Sequence, residues 1–102
     1  MSYNVYYSPS SKNDLDEIWE YISSVLKEPV AAHNTVSSIL DKIDLLKEQP
    51  EIGSQLFLCD INTGYRYLVC KNYMVFYHTS SDSVYIDRVI YGKRDYMNIL
   101  FG

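Results

Sequence analysis

Tyr65-Arg66-Tyr67-Leu68-Val69-Cys70, Lys71-Asn72, Tyr73-Met74-Val75-Phe76-Tyr77-His78-Thr79, Ser80–Ser83 and Val84-Tyr85-Ile86-Asp87-Arg88-Val89-Ile90-Tyr91 follow one another without interruption. Three runs rich in β-branched and aromatic residues are joined by two short polar links. Such runs pair as neighbours in an antiparallel meander, with Lys71-Asn72 as a tight turn and Ser80–Ser83 as a second. Gly92 ends the sheet, and Asp95–Phe101 is expected to add a short terminal helix.

Upstream the period changes. Tyr3–Tyr7 alternates and predicts a first strand. Ser8 can then cap a helix that Pro9 opens, since Pro is tolerated at the first helical position. Leu15, Ile18, Trp19, Ile22, Val25 and Leu26 form one apolar stripe. Asp14, Asp16, Glu17 and Glu20 crowd its first half, where the helix dipole favours negative charge. Lys27-Glu28-Pro29 breaks this helix and starts another, with the stripe Ala32, Val36, Ile39, Leu40, Ile43 and Leu46, ending at Gln49-Pro50. So short a link predicts an antiparallel helical hairpin whose apolar faces rest on the sheet. Residues 50–64, with Pro50, Gly53 and Gly64, read as a connecting loop anchored by Leu56, Phe57 and Leu58. The expected fold is α+β in the order β-α-α-β-β-β: a twisted antiparallel sheet of about four strands with the hairpin on one face.

The chain has 102 residues, enough for one core, so residues 1–102 are expected to form a single domain. Its hydrophobic share of 47% excludes a disordered chain. No apolar run approaches the roughly 18 residues that span a bilayer. Met1-Ser2-Tyr3-Asn4 lacks the basic and apolar regions of a signal peptide, so a cytoplasmic protein with no membrane partner is expected. Cys59 and Cys70 have neither CxxC nor His spacing, which reads as two free thiols and no metal or cofactor site. Most of the 11 tyrosines fall in predicted strands, where they supply wide, half-buried surfaces with polar tips.

Charge is distributed unevenly. The net charge is −4, yet residues 65–102 carry Arg66, Lys71, Arg88, Lys93 and Arg94 against Asp82, Asp87 and Asp95, a balance of +2. The acids concentrate upstream on the predicted helices. An anionic partner would therefore dock at the sheet and its exit.

Tyr7-Ser8-Pro9 with Asp14 to Ile22, Pro50-Glu51-Ile52-Gly53, Tyr73-Met74-Val75-Phe76-Tyr77, and Arg88-Val89-Ile90-Tyr91-Gly92-Lys93-Arg94-Asp95-Tyr96 together resemble the RelE/ParE superfamily of bacterial toxins. The resemblance covers nearly the whole chain. It implies the toxin component of a type II toxin–antitoxin module, linked to growth inhibition and plasmid stabilisation. Such a toxin is held inactive by a cognate antitoxin, with any DNA contact made through that antitoxin. One branch of the family cuts messenger RNA on the ribosome; the other poisons DNA gyrase.

Metal-free RNA cleavage needs a base for the 2′-hydroxyl, cations for the charged phosphorane and an acid for the leaving oxygen. If this chain is a nuclease, Arg66, Arg88, Lys93 and Arg94 are the candidate cations, and Tyr96 or His78 the candidate proton carrier. Arg94 matches a cationic position of the family's nucleases. Their strand arginine falls at Met74, however, and their late tyrosine at Leu100. Two apolar residues at those positions, together with the acidic hairpin and a pI near 4.9, make the chain more similar to the ParE-like branch. Arg88 alternates with Val84, Ile86 and Ile90 and is expected to pair with Asp87 or with a helix carboxylate. Trp19 is expected in the core.

Overall fold

In the computed structural model, which describes residues 2–102, the chain runs β1 (Asn4–Tyr7), α1 (Pro9–Glu20), a π-helical turn (Tyr21–Val25) and α2 (Pro29–Asp44). A 3₁₀ turn (Leu45–Lys47) precedes β2 (Ser54–Leu58), β3 (Ile61–Cys70), β4 (Tyr73–Ser80), β5 (Ser83–Tyr91) and α3 (Tyr96–Phe101). The strands form one sheet in the order β1-β5-β4-β3-β2. β3, β4 and β5 are the expected meander, turning at Lys71 and Ser81, both of which hold positive φ. β1 lies beside β5 and parallel to it, Asn4 opposite Ser83 and Tyr7 opposite Ile86, so the sheet is mixed.

Local chemistry accounts for the helices. Ser8 Oγ accepts a hydrogen bond from the Ser11 N–H at 2.9 Å, and Pro9 occupies the first turn. Pro29 opens α2 after Lys27 reverses the chain at φ 57°. α2 buries Ala32, Thr35, Ile39 and Ile43, spaced three and four residues apart as one helical face requires. That face, with Ile18 and Ile22, packs on Leu68, Val75, Tyr77, Val84, Ile86 and Val89 to form the main core. On the sheet's other side α3 covers a smaller cluster around Leu56, Phe76 and Ile90.

The expected α+β architecture is present, with differences: the sheet is mixed rather than antiparallel, because β1 runs parallel to β5, and four more follow. The segment read as a loop contains β2, and β3 begins four residues early, so the sheet has five strands. The β2–β3 pairing is irregular: between Gln55 and Phe57 the register slips, Thr63 Oγ1 donates to the Leu56 carbonyl, and Gly64 takes φ 85°. That irregularity hides the period-2 alternation by which a strand is read. Within β2 only Leu56 is buried, while Phe57 and Leu58 are exposed, so Leu56 alone anchors the segment. Trp19 is likewise 39% exposed: it stands beside the buried stripe, edge-on to His33 on the outer surface of the hairpin.

The loop before β2 is pinned from inside the core. Tyr77 is fully buried; its hydroxyl donates to the Pro50 carbonyl and accepts from the Gly53 N–H, both at 2.9 Å. Burial raises the pKa of this phenol, and the Gly53 bond partly offsets the effect. A side chain at Gly53 would meet the Tyr77 hydroxyl at 2.5 Å. Glycine is required there.

Candidate functional site

β5 carries a bulge. Phe76 pairs with Arg88 and Tyr77 with Ile86, which leaves Asp87 as the extra residue. A bulge re-aims successive side chains, and here each finds a separate partner. Asp87 Oδ2 lies 2.7 Å from His78 Nδ1 on β4. Arg88 reaches α1, where its Nε and Nη2 donate to the two oxygens of Asp14 at 2.7 and 2.9 Å. The same carboxylate accepts the Val89 N–H at 2.9 Å. Asp14 is buried, so its charge is tolerable only because three donors surround it. The Asp14 hydrogen bonds raise the Arg88 pKa above its ordinary value, holding it charged. Partial burial raises the Asp87 pKa, and His78 opposes that rise.

This polar cluster borders a groove between the hairpin and the sheet, with a volume of about 820 Å³. Ile18, Ile22, Ala31 and Val89 supply its apolar floor. Tyr21, Tyr73 and Tyr91 converge on it, Tyr73 and Tyr91 with ring centroids 5.7 Å apart. The Tyr73 phenol is raised first by burial and then by Tyr91 and Tyr21, whose hydroxyls share its surroundings. Tyr21 belongs to the π-helical turn, an irregularity that recurs at functional positions.

Past the end of β1, the outer edge of β5 has no strand beside it, and three of its backbone groups find partners elsewhere. Ser8 Oγ donates to the Asp87 carbonyl at 2.8 Å, Asp14 takes the Val89 N–H, and the Arg94 N–H donates to the Tyr91 carbonyl at 3.0 Å. Buried or edge backbone groups need such partners, and α1 together with its N-cap Ser8 supplies two of the three.

The residues singled out as nuclease candidates do not gather in this groove. Arg94 lines it. Arg88 lies next to it but is committed to Asp14. Arg66 Nη1 donates to the Glu51 and Gly53 carbonyls at 3.3 and 2.9 Å, bracing the loop ahead of β2. Lys93 is exposed in the turn after β5. Tyr96 packs on Phe76 in the smaller cluster, centroids 5.3 Å apart, with Met74 and Leu100 in the same cluster. His78 is 41% exposed and sits in a row of rings: stacked on Tyr85 at 5.2 Å and edge-on to Tyr65, with Tyr85 stacked in turn on Tyr6.

The sequence left Asp87 and an unspecified helix carboxylate open as partners for Arg88; the structure pairs Arg88 with Asp14 on α1, and Asp87 with His78. Asp14 occupies a position between the apolar residues of α1, so its periodicity was available as a sign that it faces inward. The convergence of Tyr21, Tyr73 and Tyr91 had no local sign, because they come from three elements. Cys59 and Cys70 are free thiols, one exposed and one buried. Among the described residues no helix is long and apolar enough to cross a membrane.

Solved structures that share this fold include two toxin–antitoxin systems. The chromosomal ParDE toxin–antitoxin system from P. aeruginosa superposes with a TM-score of 0.72 and 19% identity over 86% of this chain and 94% of that one. The toxin–antitoxin complex RelBE2 from Mycobacterium tuberculosis gives 0.65 and 18% over 89% and 99%. No curated protein matches in sequence. At such identities the structures show a common fold, and the sequence itself carries the assignment. Residues 5–96 match the family described as the ParE toxin of the type II toxin–antitoxin system parDE, and the chain belongs to that family.

Proposed function

We propose that this protein stops growth by binding DNA gyrase rather than by cutting RNA, and that its antitoxin neutralises it by covering the groove. The observation that carries this reading is the fate of the cations. Arg88 is neutralised by a bidentate bond to buried Asp14, and Arg66 is spent on the backbone of the β2 loop. Met74 and Leu100 lie in an apolar cluster with Tyr96. Of the cations singled out for a nuclease only Arg94 lines the groove, so the set a phosphorane needs is not brought together there. An acidic protein also gains little from the counterion release that drives binding to ribosomal RNA. Its site of action is then the cytoplasm, with no cofactor, and operator DNA is contacted through the antitoxin.

Purified protein added to gyrase at micromolar concentration is expected to inhibit supercoiling or trap double-strand breaks. Unchanged gyrase activity would overturn the target assignment. Codon-positioned cuts in messenger RNA in a translation extract would favour the ribosome-dependent endonuclease instead.

A further inference from the structure

Two turns meet at one end of the groove. The β3–β4 turn carries Lys71 and Asn72, and the turn after β5 carries Arg94; the Gly92 N–H donates to the Asn72 carbonyl at 2.8 Å and ties one to the other. Lys71 and Arg94 are exposed and make no ion pair among the described residues. The acid beside Arg94 is engaged elsewhere: Asp95 Oδ1 accepts the Asn98 N–H at 3.2 Å and caps α3. Tyr73 and Tyr91 stand opposite each other where β4 begins and β5 ends, and Tyr21 reaches toward them from the helical side. Among the described residues Tyr77 is the phenol whose hydroxyl is held by protein hydrogen bonds. The hydroxyls of Tyr21, Tyr73 and Tyr91 are thus available as donors.

A guanidinium, an ammonium and several phenolic hydroxyls form the donor set that suits a phosphate monoester, whose oxygens accept several hydrogen bonds at once. The rest of the groove indicates what the phosphate is attached to. Ile22, Leu26, Ala31 and Val89 line an apolar stretch that suits a flat ring. On the helical side the exposed Glu17 and Glu28 offer acceptors, which match hydroxyl or amino donors and repel a second phosphate. The volume of about 820 Å³ is that of a small-molecule site.

We infer that the groove binds a free nucleoside monophosphate. Lys71, Arg94 and the tyrosine hydroxyls hold its phosphate, the apolar stretch takes its base, and Glu17 and Glu28 accept from its ribose hydroxyls or amino group. A nucleic-acid strand offers the same phosphate and base, but its next phosphate would meet those carboxylates.

Four probes test it: AMP, adenosine, which lacks the phosphate, ribose 5-phosphate, which lacks the base, and the 5′-phosphorylated dinucleotide pApA. Each is titrated into the full-length protein by calorimetry, with ring resonances followed by NMR. AMP is expected to bind roughly tenfold tighter than adenosine or ribose 5-phosphate, and tighter than pApA, while shifting Tyr21, Tyr73 and Tyr91. Lys71→Asn with Arg94→Gln should weaken AMP roughly tenfold and leave adenosine unchanged. Asn tolerates the positive φ of Lys71, and both positions are exposed, so this variant keeps the fold. Tyr73→Phe retains the ring and should cost roughly fivefold. No AMP binding at millimolar concentration, adenosine or ribose 5-phosphate within about twofold of AMP, tighter binding of pApA, shifts confined to other surfaces, or unchanged AMP affinity in the double variant would overturn the inference. Supercoiling by gyrase is scored separately on the same preparation, so a failure with AMP leaves the gyrase reading standing.

Discussion

Asp14 lies in the first half of α1 and accepts three hydrogen bonds, two from Arg88 and one from the Val89 N–H. Removing one partner of a buried pair leaves the other charge without compensation, which costs more than the pair contributes. Asp14→Ala is therefore expected to lower stability by about 3 kcal/mol, read by urea unfolding. Asp14→Ala with Arg88→Met should recover most of that loss, since the stranded charge is gone. A double variant no more stable than Asp14→Ala would show that the helix-to-strand contact depends on geometry rather than charge. Gly53 is constrained from the opposite direction. Its Cβ would press on a buried phenol and on the Tyr67 carbonyl, so Gly53→Ala should cost about 2 kcal/mol through overpacking. Tyr77→Phe in the same background, by deleting the hydroxyl, should relieve part of that cost.

α3 has six residues, too few to be stable alone, and is held by Tyr96, Met97, Ile99 and Leu100 against the smaller cluster. Detaching it would uncover Phe76 and Ile90, which are almost fully buried. Leu100→Asp is expected to release α3, seen as enhanced binding of a hydrophobic dye and loss of amide protection in residues 96–101. The hairpin side of the core should keep its protection, because α1 and α2 contact only the other face. Global loss of protection would show instead that both faces unfold together. α3 and the meander were legible from the chain, since each is a short periodic run closed by a turn. β2 was not, because its alternation is broken by the slip opposite Thr63 and Gly64.

Across the molecule, Tyr7, Tyr73 and Tyr77 each have a pKa raised chiefly by burial. In the unfolded chain such phenols lose their protons near pH 10, while in the folded chain they hold them to higher pH. The folded state therefore binds more protons above pH 10, and stability falls as pH rises through that range. Below pH 10 this contribution is fully present. Unfolding midpoints followed from pH 8 to pH 11.5 should drop beyond about pH 10, with a shallower drop in Tyr77→Phe. A flat profile would mean that water reaches these rings.

Apolar periodicity, turn residues and helix caps act over a few neighbours, and they sufficed to set the hairpin, the meander, the terminal helix and the family, though not β2. Tyr7-Ser8-Pro9 and Gly92-Lys93-Arg94-Asp95-Tyr96 could be read that way. The groove could not. Arg88 is separated from Asp14 by 74 residues, Tyr21 from Tyr73 and Tyr91 by more than half the chain, and β1 lies beside β5 only once the hairpin has folded back on the sheet. The bulge that turns Asp87 toward His78 and Arg88 toward α1 depends on that pairing. Whether a cation is free for chemistry or already paired is settled by what lies across the fold. The chain determined which charges exist, and the tertiary structure alone decided that Arg94 stays open while Arg88 is closed.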